Sequence, residues 1–164
     1  MASPSNVPMV PRDGKVEILS LNSGLTFELV YENGDTSIGH DIADRVVGRD
    51  RGVVYSVRKG AQAIPVVSCT VDALEFTNGS NATIVDVMEF SGAWAAAART
   101  TGVSGDMNTV TVRFTAAKSS VGDSANAVVS CADCVGTWEF AEGEPGKLKL
   151  SWEVYGAMTR TGQA

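Results

Sequence analysis

A chain of 164 residues with 44% hydrophobic and 20% charged side chains is long enough for one domain with a real core and too apolar for bulk disorder. Its formal net charge of −6 argues against a protein that gains affinity by neutralising phosphates, though not against one that lets DNA pass without sticking. The 17 glycines fall mostly between alternating apolar runs, where turns between short strands need them.

Residues 1–12 carry Pro4, Pro8 and Pro11 without periodicity, which predicts an extended arm. Lys15 to Ser20 alternates with Val16 and Ile18 inward, and Asn22-Ser23-Gly24 turns the chain. Leu25, Phe27, Leu29 and Tyr31 then share one strand face against Thr26, Glu28 and Glu32, giving a first hairpin. From Asn33-Gly34-Asp35 to Gly52 the chain is polar and shows no clear period. Asp35, Asp41, Asp44 and Asp50 stand there beside Arg45, Arg49 and Arg51. A structureless connection of ~18 residues is unusual in a compact domain and points to a self-association loop rather than a plain solvated one.

Val53 to Val57 reads as a strand closed by Arg58-Lys59-Gly60. Ala63 to Glu75 reads as a longer one, with Pro65, Val67, Cys69, Val71 and Ala73 on one face; Pro65 suits an edge or first position. The period then changes. Asn81 can cap a short α-helix, about residues 81–91, in which Ile84, Val87 and Met88 form the buried stripe and Gly92 ends it. Ala95 to Ala98 suits a helix or a tightly packed strand equally. Val110, Val112, Phe114 and Ala116 alternate with Thr109, Thr111, Arg113 and Thr115, another strand, before Ala127–Cys131 and a final hairpin.

That hairpin is the clearest signal. Cys134, Gly136, Trp138 and Phe140 lie on one face, read as a core face, as do Leu148, Leu150, Trp152 and Val154 after a Gly/Pro turn. The other face carries Val135, Thr137 and Glu139, then Lys147, Lys149, Ser151, Glu153 and Tyr155. Setting Phe140 near Leu148 brings Glu139 close to Lys147 or Lys149.

The inventory for chemistry is nearly empty. Cys131 and Cys134 have a spacing that invites zinc or redox chemistry, but only Cys69 and His40 could complete a site. Residues three apart on a strand also point to opposite faces, so the pair would not converge unless the strand breaks there; buried structural thiols are the favoured reading. His40 is the only histidine, and no serine sits in a nucleophile-elbow context. No phosphate-cradling loop is present, and Glu142 and Glu144 lie in a surface turn. These residues predict no catalytic, cofactor or metal site. No stretch approaches the ~20 apolar residues of a membrane span. MASPSNVPMVPRDG lacks the charged and apolar regions of a secretory signal, so a cytosolic, reduced product is expected.

One set of residues, taken in order, resembles a family. Asp13-Gly14, Tyr31-Glu32-Asn33-Gly34-Asp35 and Asp50-Arg51-Gly52 are followed by Arg58-Lys59-Gly60 with Pro65. Ile84-Val85-Asp86-Val87 with Gly92-Ala93-Trp94 comes next, then Trp138-Glu139-Phe140-Ala141-Glu142-Gly143-Glu144-Pro145 and a strand ending at Tyr155-Gly156. This order is similar to that of the tail tube (major tail) proteins of long-tailed bacteriophages. The cysteines and the alanine run depart from it.

The resemblance implies a mainly β, antiparallel sandwich or barrel-like domain over residues 13–156, with an arm at 1–12, one short helix, a long inter-subunit loop and a tail at 157–164. It implies a structural subunit, not an enzyme, that stacks in hexameric rings into a hollow conduit for DNA ejection. The expected partners are further copies of itself, a tape-measure protein, a tail-tip initiator and a tail terminator. The expected place is the virion tail, assembled in the host cytoplasm. Within it, Arg45, Arg49, Asp50 and Arg51 are candidates for ring-to-ring contacts, with the arm, and Glu17, Glu28, Glu32 and Glu153 for lumen-facing acids. The alternatives are the inner tube of a contractile tail or injection machine, and a monomeric β-sandwich binding module.

Overall fold

The computed structural model describes residues 14–20, 24–29, 36–39, 45–61, 63–72, 76, 81–95, 107–116, 126–143 and 146–161. The arm, His40, Glu32 and Ala96–Ala98 lie outside them. The strands are β1 (Lys15–Leu19), β2 (Thr26–Glu28), β3 (Thr36–Gly39), β4 (Arg45–Asp50), β5 (Val53–Lys59), β6 (Val66–Asp72), β7 (Val110–Ala116), β8 (Ala127–Ala141), β9 (Lys147–Val154) and β10 (Met158–Thr161). A helix, α1 (Ile84–Glu89), and a single 3₁₀ turn at Gly92–Trp94 interrupt them.

Eight strands form one antiparallel sheet in the order β2-β1-β7-β8-β9-β6-β3, with β10 on β8. β4 and β5 form a sheet of their own. The polar stretch before Gly52, expected to be structureless, therefore contains two strands, and residues 158–161 of the tail segment hold a third. The final hairpin has the expected register, Phe140 opposite Leu148 and Glu139 opposite Lys149. Period-two alternation fixes it, because a slip of one residue would turn Leu148, Leu150 and Trp152 out to solvent.

β8 is longer than the pattern suggests because it absorbs a break. Asp133 takes a left-handed φ of 50°, and Ala132 and Asp133 together oppose Thr111 between the Val110–Cys134 and Val112–Cys131 pairs. This is a β-bulge, and it turns the alternation over by one residue. Cys131 and Cys134 consequently share the core face. The strand does break at the one place where the two thiols could come together. The backbone of the bulge is satisfied by the link between β9 and β10: Tyr155 N–H donates to Asp133 O, Gly156 N–H to Ala132 O, and Ala132 N–H to Ala157 O. A side chain at Gly156 would come within 2.8 Å of Ala132 O, so the link passes only as glycine.

The core lies on one face of this sheet. Val16, Ile18, Val67, Cys69, Val112, Cys131, Cys134, Leu148, Leu150 and Trp152 are all buried there. Each large aliphatic or aromatic side chain so buried contributes about 1.5–3 kcal/mol relative to exposure. α1 lays Ile84, Val87 and Met88 against it. Six residues are too few for a helix to stand alone, so packing and caps hold it. The N-cap is Thr83, not Asn81. Its hydroxyl accepts from Asp86 N–H, and Asp86 Oδ2 accepts from Thr83 N–H at 2.9 Å, a closed capping box. The Thr83 N–H bond foremost, with bonds donated by Ser91 Oγ and the Thr83 hydroxyl, holds the Asp86 carboxyl below the usual carboxylate range.

Candidate assembly surfaces

The β4–β5 ribbon is built from a two-residue connection. Arg51 and Gly52 both have positive φ, 46° and 85°, as a type I′ turn requires. Arg45 pairs with Lys59, Val47 with Val57 and Asp50 with Val53, with a bulge past Gly48. Alternation along β4 puts Val47 and Arg49 on one face with Val57 and Val54, and Val46 and Asp50 on the other with Arg58 and Val53. The Tyr55 ring lies over Gly48, where a side chain would meet it at 2.8 Å. Among the described residues neither face is covered. Val46, Val47, Val53, Val54, Tyr55 and Val57 are 41–72% exposed.

Charge sets the ribbon apart further. Residues 45–59 carry five cations, Arg45, Arg49, Arg51, Arg58 and Lys59, against Asp50 alone, a net of +4; with −6 for the whole chain, the remainder carries −10. Of the residues singled out for ring-to-ring contact, Arg49, Asp50 and Arg51 stand at the ribbon tip and Arg45 at its base. They were singled out by their charge. It passes over five valines, Val46, Val47, Val53, Val54 and Val57, that are also exposed here.

The acids singled out for a lumen fall into different settings. Glu17 is 5% exposed and bound on both oxygens: Lys15 Nζ donates to Oε1 at 2.7 Å, and Arg113 Nε and Nη2 to Oε2 at 2.9 and 2.6 Å. The Lys15 bond, reinforced by the Arg113 guanidinium, holds its carboxyl low against the opposing effect of burial. Glu28 lies opposite Glu17 on β2 and is exposed; Glu153 is exposed and accepts from Tyr155 Oη at 2.6 Å. Glu32 lies outside the described residues.

A second apolar surface stands at the far end of the β8–β9 hairpin. Trp138 and Phe140 share the face of Cys134 and Gly136 and were expected in the core. They are 37% and 44% exposed instead. Phe76, also exposed, packs edge-on against Phe140 with centroids 5.1 Å apart and tilts against Trp138 at 6.5 Å. Trp138 Nε1 donates to Glu89 Oε1 at 3.3 Å.

The thiols offer little reactivity. Cys69, Cys131 and Cys134 are free and buried. Burial pushes Cys131 up and Cys134 up to about 12, and Cys134 Sγ donates to Cys131 O at 3.2 Å. Among the described residues no cluster of His, Cys, Asp and Glu could hold a metal ion, and no helix is long and apolar enough to cross a membrane.

No family model and no curated protein matches the sequence. Solved structures do match. The chain is similar to one in the six-fold symmetrised cryo-EM structure of the anti-feeding prophage baseplate, with a TM-score of 0.57 at 11% identity, covering 99% of this chain and 98% of that one. It is similar to one in the extended sheath-tube complex of PVC, an extracellular contractile injection system, at TM-score 0.59 and 7% identity, with 96% and 93% covered. The SPP1 tail tube protein gives 0.54 at 10% identity, with 95% and 80% covered. The chain has the tail tube fold: an antiparallel β-structure with one short helix.

Proposed function

We propose that this protein is a structural tube subunit that assembles with copies of itself into stacked rings, six to a ring, enclosing a conduit for DNA. The fold supports the class, and six-fold symmetry is the symmetry of the anti-feeding prophage baseplate that it resembles. The observation that carries self-association is the β4–β5 ribbon. A two-stranded ribbon on its own is marginally stable in water, and this one exposes six large apolar side chains. A surface of that kind marks an interface. On this reading the tape-measure, tip and terminator proteins meet the tube at its ends, and the tube forms part of a tail.

A second reading, an inner tube of a contractile machine, is favoured by coverage. The chain spans 98% and 93% of the prophage and PVC chains but 80% of the SPP1 chain. Native particles with a contractile sheath around the tube would select it.

The test is negative-stain electron microscopy and sedimentation of the purified chain over a concentration series, beside a Val53→Asp, Val57→Asp double variant. Rings or hollow filaments from the wild type and monomers from the variant are expected. A wild type that stays monomeric even when seeded with isolated tail-tip complexes overturns the proposal.

A further inference from the structure

The ribbon needs a surface to receive it. We propose that the Phe76–Trp138–Phe140 cluster is that surface and takes the ribbon tip of a second copy of this chain. This rests on the self-assembly reading above and names the receiving site.

The cluster and the ribbon match in two independent respects. Both are apolar and open. The three rings are 37–44% exposed, and they are held against one another and by the Trp138–Glu89 bond before any partner arrives. Rigid aromatic groups of this kind lose little entropy on contact and dominate interface energetics. The charges around the two are opposite. Glu89 is exposed beside Trp138, and the exposed Glu142 follows Phe140 by two residues. The ribbon tip brings Arg49 and Arg51, with Asp50 between them. Guanidinium groups pair with carboxylates and stack over indole faces, so one contact satisfies both the acids and the ring.

The opposite face of the same strands makes a poorer receiver. There Ser37, Ser68, Ser151 and Thr137 form a row of hydroxyls across β3, β6, β9 and β8, and Ser37 and Ser68 already bond each other at 2.6 Å. Glu139 lies opposite Lys149 beside that row. A polar, charge-balanced face of this kind offers nothing to an apolar cationic ribbon. Within one copy the ribbon forms its own sheet and leaves its six large apolar side chains exposed, so the occupant comes from another molecule.

Two single variants, Val53→Cys and Phe140→Cys, would be prepared separately, mixed under assembly conditions and treated with a short bismaleimide. Wild-type protein, whose three thiols are buried, sets the background. Covalent dimer at least tenfold above either variant alone is expected, and Glu142→Cys serves as the second partner if Phe140→Cys does not fold. In parallel, Arg49→Glu is expected to cut the assembled fraction several-fold, and Glu89→Arg with Glu142→Arg to restore it. If wild type forms tubes while the mixtures give background dimer and the charge reversal is not rescued, this docking site is wrong and the tube reading stands. If wild type does not assemble even with seeds, the tube reading itself fails and this one falls with it.

Discussion

Gly136 fixes where the helix sits. A side chain there would meet Met88 Cε at 2.5 Å and the Trp152 indole at 2.7 Å. The methionine tip can swing away; the indole, 0% exposed and paired across from Gly136, cannot. Gly136→Ala is therefore expected to cost about 1–3 kcal/mol through overpacking. The urea midpoint measures it, and an unchanged midpoint would show that α1 rides on the sheet without a fixed seat. At this scale the sequence was partly legible. The stripe Ile84, Val87 and Met88 is buried as its spacing indicates. The cap was misplaced because Asn81 and Thr83 are both good N-cap residues, and only Asp86, three residues after Thr83, closes a box. Asp133 shows the opposite difficulty. Aspartate tolerates a left-handed backbone, but nothing in Cys131-Ala132-Asp133-Cys134 states that it does so inside a strand rather than ending one.

Among the elements, the ribbon is where pattern reading met its limit, for a physical reason. Alternation appears when one strand face is wet and the other dry. Val46-Val47 and Val53-Val54 are doublets, placing apolar side chains on both faces. In one copy neither face has a core to select the period. The turn is also disguised, since Arg51-Gly52 is not among the pairs that announce a type I′ connection. The ribbon, a separate two-stranded sheet among the described residues, is expected to exchange its amides far faster than β8 and β9 in the monomer, and to gain at least tenfold protection in assembled tubes. Hydrogen exchange followed by mass spectrometry reads both states. Equal protection of the ribbon in monomer and tube would remove it from the interface.

For the whole molecule, the separation of +4 on the ribbon from −10 elsewhere sets how assembly responds to solvent. Contacts between a cationic ribbon and an acidic body weaken as salt screens them, with a Debye length of ~10 Å at 0.1 M and ~3 Å at 1 M. The assembled fraction at fixed protein concentration is expected to fall several-fold between 50 mM and 1 M NaCl, as sedimentation would show. Assembly promoted by salt would instead assign the drive to the valines and rings alone. The antiparallel β architecture was legible because the strongest alternations, in β7, β8 and β9, belong to the middle of the sheet. The order of the strands was not. Adjacency of β1 to β7 and of β6 to β9 joins segments far apart in the chain, and no local pattern encodes it.

Those same pairings have a consequence in time. Lys15 lies opposite Thr115, and Asp72 opposite Lys147. At ribosomal rates of ~5–20 residues per second, β1 exists for roughly five to twenty seconds before its neighbour β7 has been made. Through that interval the β1–β2 hairpin shows a bare edge, and β3 and β6 have no β9 to lie against. The last third of the chain is translated last, and the early strands of the main sheet wait on it: the nascent protein spends most of its synthesis holding strands whose partners have not yet been made.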